Sequence, residues 1–382
     1  MGDVANFSKG TGYSKSDLKG TGSPIILYGR LYTKYETIIR NVDSFVVPKS
    51  GSVFSKGGEV IVPGSGETAE DISIASVVEP AGILLGGDLN IIYPNSDLDP
   101  TFLAITISNG KPHFDMARRA QGKSIVHLHN ADLKHISLKT PNLSEQKRIS
   151  KIFEVLDQTI TLHEEKKSQL ERLKSALLQK MFADKSGYPA VRFRGFDERW
   201  EQYKAKELFE SKSKKDHSDL PVLSATQENG IVFRNDLDID IKFDTHALSN
   251  YKVVSPGDYI ISLRSFQGGF ELSEKLGIIS PAYTVFAFNN QEKNRQNSTF
   301  WKYLFKRYDF IESLKRLTFG IRDGKAISFN QFSTLKLSFP NFDEQNKIAT
   351  LLHELDKTIA LHDQKLSLLK HVKQSLLQNM FI

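Results

Sequence analysis

Residues 141–182 read PNLSEQKRISKIFEVLDQTITLHEEKKSQLERLKSALLQKMF, and residues 340–381 read PNFDEQNKIATLLHELDKTIALHDQKLSLLKHVKQSLLQNMF. The two stretches align without a gap at an offset of 199 residues, and 20 of their 42 positions are identical. One copy lies in the middle of the 382 residues and the other at the C-terminal end, so the repeat divides the chain into two cycles. Each cycle is a long segment followed by one repeated stretch.

Each repeated stretch has the pattern of a long amphipathic helix. Apolar residues recur three or four positions apart, and no Gly or Pro interrupts either stretch after its first residue. The Pro-Asn beginnings are followed by Ser144 and Asp343, which we interpret as the N-caps. The pattern predicts two helices of roughly 38 residues, each about 57 Å long.

Two related long helices in one chain bury their apolar stripes most simply against each other. The globular segment between them can carry the chain back, so we predict an antiparallel coiled-coil pair. The middle of the stripe is polar around His163 and His362, which fits a register-setting seam, a solvated stretch or a docking site for a partner. The predicted helix-pair or partner interface comprises Leu156, Ile160, His163, Leu170, Leu177, Leu355, Ile359, His362, Leu369 and Leu376.

The matched histidines His163 and His362 raise the question of a metal site. No carboxylate–histidine pair spaced four residues apart recurs in both copies. We therefore interpret them as seam or interface histidines, and no metal site is predicted.

The segments 1–140 and 183–339 are rich in short strand patterns. Runs of β-branched and aromatic residues bounded by Gly, Pro or Asn predict strands near 24–28, 59–62, 89–93, 221–223, 258–263 and 283–288. At the 199-residue offset Gly58-Glu59 aligns with Gly257-Asp258, and Ile61 with Ile260, while identity is otherwise low. We therefore interpret the two segments as one fold with diverged surfaces. The predicted class is α+β: two similar strand-rich domains at 1–140 and 183–339, separated by long helices at 141–182 and 340–382.

The composition excludes several classes of function. The chain has no cysteine, so disulfides, thiolate metal sites and a cysteine nucleophile are excluded. No apolar run reaches a membrane-spanning length and the N-terminal stretch lacks an apolar segment, so we expect a cytoplasmic protein. The net charge is +6, but residues 1–140 hold 14 Lys and Arg against 14 Asp and Glu. Recognition of an anionic partner would therefore depend on the placement of charge.

The repeated motifs resemble those of a known family. The motifs are Pro-x-Leu/Phe-x-Glu-Gln-x-x-Ile, then Leu-Asp-x-Thr-Ile, then a closing Leu-Leu-Gln-x-Met-Phe. They are similar to the conserved regions of the specificity (S) subunits of type I restriction–modification systems. Residues 192–201 resemble the lead-in that precedes a target recognition domain in that family. The resemblance covers the whole chain as recognition domain, helix, recognition domain, helix.

One feature departs from the family pattern. The family commonly has a lead-in before the first recognition domain as well as before the second. Here residues 1–4 line up roughly with residues 205–208, so the first lead-in is missing from this sequence. The departure bears on how the N-terminal end docks.

The resemblance implies a DNA-binding subunit without chemistry of its own. Such a subunit reads a split double-stranded sequence, one half per domain, while the helix pair holds the halves apart. It implies two modification subunits that bind S-adenosylmethionine and methylate adenine N6, and, where present, restriction subunits that use ATP and Mg. No cofactor is expected in this chain. In agreement, the sequence contains neither a Gly-x-x-x-x-Gly-Lys-Ser/Thr phosphate loop nor an Asn-Pro-Pro-Tyr motif.

Candidate DNA contacts follow from the chemistry of base reading. Arg and Lys read guanine, Asn and Gln read adenine, and phosphates accept from cationic and hydroxyl side chains. The predicted contacts of the first domain are Arg30, Tyr32, Lys34, Arg118, Arg119 and Lys123. Those of the second domain are Gln227, Arg264, Ser265, Gln267, Arg322 and Lys325. For any single residue, a solvated surface position is the competing interpretation.

Two rival functions fit parts of the pattern. A helical scaffold or adaptor would bind proteins through its helices, but two large strand-rich domains would be superfluous for it. A nuclease would need a catalytic constellation, and the sequence shows no credible one. Salt-dependent affinity for one DNA sequence would argue against the scaffold. Metal-dependent DNA cleavage by the isolated chain would support the nuclease, and its absence would argue against it.

Overall fold

The computed structural model describes residues 1–226, 229–237, 245–262, 265–317 and 327–381. The chain forms two compact units: unit 1 is Met1–Glu165 with Asp363–Ile382, and unit 2 is Lys166–His362. Each long helix therefore contributes one part to each unit. Across the described ranges, no helix combines the length and apolarity that crossing a membrane requires.

The first copy consists of short strands and helices followed by one long helix. Its strands are β1 (Ala5–Lys9), β2 (Ser23–Ile26), β3 (Ile38–Ile39), β4 (Phe45–Val46), β5 (Glu59–Pro63), β6 (Ser65–Gly66), β7 (Ser76–Val78), β8 (Leu84–Leu85), β9 (Leu89–Pro94) and β10 (Val126–His127). Its helices are α1 (Arg30–Thr33), α2 (Ala69–Ile72), α3 (Pro100–Ile107), α4 (Gly110–Arg119), α5 (Asn130–Lys134) and α6 (Leu143–Lys180).

The second copy has the same plan. Its strands are β11 (Glu201–Lys204), β12 (Phe209–Lys212), β13 (Leu223–Thr226), β14 (Gly230–Phe233), β15 (Lys252–Val254), β16 (Tyr259–Ile261), β17 (Glu271–Leu272), β18 (Gly277–Ile279), β19 (Thr284–Phe288) and β20 (Lys336–Phe339). Its helices are α7 (Ala205–Leu208), α8 (Ser265–Gly268), α9 (Ser298–Leu304), α10 (Tyr308–Leu317), α11 (Phe329–Phe332) and α12 (Phe342–Met380).

Unit 1 is built around a sheet with the strand order β1-β9-β5-β7-β3. Only the β3–β7 pairing in this sheet is parallel. Every residue of the central strand β5 is buried, as the unbroken apolar run Val60–Val62 requires. A smaller sheet has the strand order β4-β2-β8. Its strands are interspersed along the sequence with those of the larger sheet. The predicted strands near 24–28, 59–62 and 89–93 correspond to β2, β5 and β9.

Unit 2 is built around the sheet β12-β19-β16-β17, in which all pairings are antiparallel. Its core is rich in aromatic rings, with Phe209 stacked on Phe288 at 4.6 Å between centroids. The predicted strands near 258–263 and 283–288 correspond to β16 and β19. The strand predicted near 221–223 instead begins at Leu223, because Pro221 has no N–H to donate to a ladder.

The long helices confirm the pattern of the repeat, with 38 residues in α6 and 39 in α12. The predicted N-caps were wrong. The side chain of Asn142 accepts from the backbone N–H of Glu145 at 3.0 Å, and that of Asn341 accepts from Glu344 at 3.0 Å. Each cap therefore lies two residues before the one inferred, because the Asn that follows the proline already reaches the third residue of the helix.

A buried glutamine in each repeat ties the start of the long helix to the body of the domain. The side-chain carbonyl of Gln146 accepts from the backbone N–H of Asp99 at 2.9 Å, and its amide donates to the Pro141 carbonyl at 2.9 Å. Gln345 does the same with Asn297 at 3.0 Å and Pro340 at 2.8 Å. The repeated Gln position is thus explained by one shared set of hydrogen bonds.

The beginnings of the two domains are structurally equivalent. The Met1 amino group donates to the Ile136 carbonyl at 2.5 Å, and the Ala205 N–H donates to the Leu335 carbonyl at 2.8 Å. The acceptors are 199 residues apart, which is the offset of the helix repeat. The alignment of residues 1–4 with 205–208 inferred from the sequence therefore has a structural counterpart.

Candidate nucleic-acid interface

The predicted contacts Arg30 and Lys34 are engaged within unit 1. Arg30, whose side chain is only 10% exposed, forms ion pairs with Glu36 at 2.6 Å and Asp43 at 2.9 Å. Lys34 pairs with the same Asp43 at 3.3 Å, and its hydrogen bond lowers the pKa of that carboxyl. The ring of Tyr32 is exposed beside them. The positive charge of this group is largely neutralised by its own loop, so DNA contact here stays a prediction.

The predicted contacts Arg118, Arg119 and Lys123 belong to a second, differently built segment. Arg118 and Arg119 form the last turn of α4, where cations are favoured by the helix dipole. The side chain of Arg118 is 81% exposed and lies 4.0 Å from Asp115. Lys123 is exposed and, within the ranges that the structure describes, forms no ion pair. Within the described residues, Lys123 is therefore a cation available to an anionic partner, whereas Arg118 already lies near Asp115.

Residues 121–129, here called the 121–129 hairpin, follow α4 in the chain. Gln121 and His127 exchange backbone hydrogen bonds of 3.0 and 2.8 Å, which close the turn. β10 then pairs with β6, and the Leu128 N–H donates to the Gly64 carbonyl at 3.0 Å. Leu128 is fully buried, and its carbonyl accepts from the Asn90 amide at 2.8 Å. The base of the hairpin is thus held by backbone and core contacts.

Gly122 is required by the geometry of this turn. Its φ of +145° lies in a region that side-chain-bearing residues rarely adopt, and a Cβ at this position would lie 1.9 Å from the Ile125 carbonyl oxygen. Any other residue there must shift the hairpin.

Other exposed residues of the hairpin were not among the predicted contacts. Ile125 at the tip is 57% exposed. His127 and His129 are exposed, and their rings stack at 6.3 Å with an interplanar angle of 8°. One signal could have found them: no Asp or Glu occurs between Asp115 and Asp132, although the first domain as a whole is charge-balanced.

Most predicted contacts of the second domain lie outside the described residues: Gln227, Arg264, Arg322 and Lys325. Ser265 is 1% exposed, and its hydroxyl accepts from the backbone N–H of Ser262 at 2.7 Å. That hydroxyl is therefore engaged by the Ser262 backbone, and a DNA contact by Ser265 stays a prediction. Gln267 is exposed on α8. No cluster of metal-ligating side chains occurs among the residues that the structure describes.

The predicted interface residues of the long helices are all buried or half-buried: Leu156, Ile160, His163, Leu170, Leu177, Leu355, Ile359, His362, Leu369 and Leu376. Within unit 1, Asp157 pairs with Lys373, and Glu164 pairs with Lys370 at 2.6 Å. As the number rises along α6 it falls along α12, so these parts of the helices run antiparallel.

The same ion pair occurs once in each unit. Asp157 and Asp356 are equivalent in the repeat, as are Lys174 and Lys373. Unit 1 contains the pair Asp157–Lys373, and unit 2 contains Lys174–Asp356 at 2.5 Å. The Leu-Asp-x-Thr-Ile motif therefore places a carboxylate where the lysine of the other repeat can reach it.

Each of these aspartates also accepts a hydrogen bond from a side chain outside the long helices, within its own unit. The Thr37 hydroxyl donates to Asp157 at 3.1 Å in unit 1. The Tyr303 hydroxyl donates to Asp356 at 2.7 Å in unit 2, and burial raises the pKa of that phenol. Different elements of the two domains thus dock on the same motif position, which fits one fold with diverged sequences.

Known proteins share this organisation. A family model described as the type I restriction modification DNA specificity domain matches twice, over residues 1–172 and 197–371. A type I restriction enzyme MjaVIII specificity subunit of Methanocaldococcus jannaschii is 23% identical over 361 residues, covering 87% of this chain and 80% of that protein. The crystal structure of a type I restriction–modification S subunit from M. genitalium matches with a TM-score of 0.59 at 14% identity. It covers 100% of this chain and 94% of that chain.

Proposed function

Because this chain belongs to the type I restriction–modification DNA specificity family, we propose that it reads the two halves of a split double-stranded DNA target. Members of the family are the non-catalytic, sequence-specific DNA-recognition components of restriction–modification complexes, and they carry no cofactor themselves. The observation that carries the proposal is the double match, one for each cycle of the chain. Two diverged domains of one fold are suited to reading two different half-sites.

The division of labour that we propose follows the repeat. Residues 1–140 and 183–339 are the two target recognition domains, and 141–182 and 340–382 are the helices that connect them and bind partners. Direct readout requires side chains on a firmly held backbone, and phosphate contacts require cations without internal partners. Within the described part of unit 1, Lys123 and the 121–129 hairpin that carries it meet both conditions, which supports the proposal.

We propose that two modification subunits dock on the long helices. Several apolar side chains of these helices face solvent, where they gain nothing for the isolated chain. At two positions the exposed apolar residue occurs in both repeats. Leu162 is equivalent to Leu361, and Leu173 is equivalent to Val372. Duplicated apolar positions favour two equivalent binding events. S-adenosylmethionine would bind to those subunits, and ATP and Mg to restriction subunits where they are present.

DNA binding by the complex of this chain with its modification subunit tests the proposal against a scaffold role. We expect affinity for one split sequence that exceeds affinity for random DNA and that falls steeply with salt, because phosphate contacts release counterions. Fluorescence anisotropy with labelled duplexes selected from a random pool measures both quantities. Equal affinity for all duplexes at every salt concentration would favour the scaffold.

A further inference from the structure

We propose that the 121–129 hairpin is the element of unit 1 that reads base edges, with Lys123 and Ile125 as specificity-determining residues. This inference rests on the proposed function and assigns one part of the recognition surface. It places recognition in the major groove, where each base pair presents a distinct pattern of donors, acceptors and methyl groups.

The hairpin carries positive charge that no internal acidic group neutralises within the described residues. Arg30 and Lys34 form ion pairs with Glu36 and Asp43. DNA binding by these two cations would therefore require breaking existing ion pairs. Lys123 has no such pair within the described part of the chain, and the segment from Met116 to Ala131 contains no acidic residue. A phosphate-rich surface is therefore attracted to the hairpin without an internal competitor.

The backbone of the hairpin is preorganised before DNA binds. Its two backbone hydrogen bonds between Gln121 and His127 close the turn, and the buried Leu128 anchors it to the core. A rigid base reduces the entropy lost when the tip side chains are ordered against DNA. The exposed tip can then present its side chains in a constant register.

The exposed side chains of the hairpin have the chemistry that base reading requires. A lysine ammonium donates to guanine O6 and N7, and an apolar side chain contacts the thymine methyl group. Lys123 and the 57% exposed Ile125 supply these two functions two residues apart. The imidazoles of His127 and His129 add donors or acceptors at the base of the hairpin.

The second copy carries a matching sequence feature. At the 199-residue offset, Lys123 corresponds to Arg322, and the buried Leu128 corresponds to the buried Ile327. A cation thus precedes a buried anchor by five residues in both copies. Arg322 itself lies outside the described residues, so only its sequence position enters this argument.

The test uses the complex of the full chain with its modification subunit, expressed in cells that lack other adenine methylation. Lys123→Ala and Ile125→Ala each remove one proposed base contact from an exposed position. Gly122→Ala keeps every side chain but displaces the hairpin. Lys19→Ala is the control, because it removes the same charge from another exposed position of unit 1. N6-methyladenine mapping gives the recognised motif, and anisotropy gives the affinity of each complex.

We expect Lys123→Ala to weaken binding to the target by roughly 5- to 150-fold, the range for one lost bidentate base contact. One position in one half-site should then accept other bases. Ile125→Ala should relax a thymine position in the same half-site, and Gly122→Ala should impair that half-site. Lys19→Ala should leave the motif unchanged.

Two results would overturn the inference while leaving the proposed function intact. One is an unchanged motif in both Lys123→Ala and Ile125→Ala. The other is a loss of affinity that is equal for target and random DNA, which identifies a phosphate contact. If the unaltered chain marks no split motif, the proposed function fails and the inference fails with it.

Discussion

Replacing Phe182 by alanine is expected to destabilise unit 2 by about 3–5 kcal/mol. Phe182 is the last residue of the first repeat and is 2% exposed. Its ring stacks on Phe300 at 5.2 Å and meets Trp200 edge-on at 6.0 Å, while the Arg307 guanidinium lies 5.0 Å from its centre. Alanine would leave a cavity between the rings of Phe300 and Trp200, which are held by separate parts of unit 2, so the site has little room to collapse.

Urea denaturation of the purified chain measures this loss, and hydrogen exchange locates it. We expect amides of α9 to lose protection in Phe182→Ala. Phe114→Ala is the matched control, because Phe114 is 60% exposed and its loss should cost under about 0.5 kcal/mol. Equal stability losses in the two variants would show that Phe182 does not fill the core.

Replacing Arg192 by alanine is expected to cost about 3–5 kcal/mol, because it leaves a carboxylate buried without its counter-ion. The Arg192 guanidinium forms two hydrogen bonds of 2.8 Å to the two oxygens of Glu344. The Glu344 side chain is 0% exposed. This contact attaches the lead-in segment to the first turn of α12.

A double-mutant cycle separates the pair from its surroundings. Glu344→Gln combined with Arg192→Ala should recover part of the stability lost in Arg192→Ala, because the buried charge is gone. Arg192→Lys should give an intermediate loss, since lysine keeps the charge but not the planar fork. Denaturation midpoints measure these variants together with Glu344→Gln alone. Strict additivity of the single changes would contradict a direct, buried interaction.

The long helices could be predicted from the sequence because their signal is local and occurs twice. The periodicity and the missing Gly and Pro predicted both helices to within a few residues. The N-caps were misjudged because Asn142 and Ser144 are both good capping residues, and only the geometry of the turn decides between them.

The ends of the repeats could not be predicted, because they depend on contacts far away in the chain. By sequence alone, the apolar periodicity of the two repeats extends to Met181 and Met380. In the structure Met380 is 38% exposed, whereas Phe381 enters the core of unit 1 beside Phe102 and Phe153. Which residue of the last turn is buried depends on a domain whose sequence lies more than 200 residues earlier.

The candidate contacts show the same limit. Arg30 and Asp43 are 13 residues apart, and no local pattern predicts that they pair. The exposure of Ile125 likewise depends on the Gly122 turn and on the pairing of β10 with β6. Sequence reasoning found the cations at Arg118 and Lys123, while the structure was needed to separate engaged charges from available ones.

The central claim is tested most directly by a methylation map. The chain is expressed with its modification subunit in a host without adenine methylation, and N6-methyladenine is located across the host DNA. We expect a split motif, with two short specified halves around an unspecified gap of constant length. Absence of methylation, with the modification subunit shown to be folded and bound to this chain, would contradict the claim, as would one short uninterrupted motif.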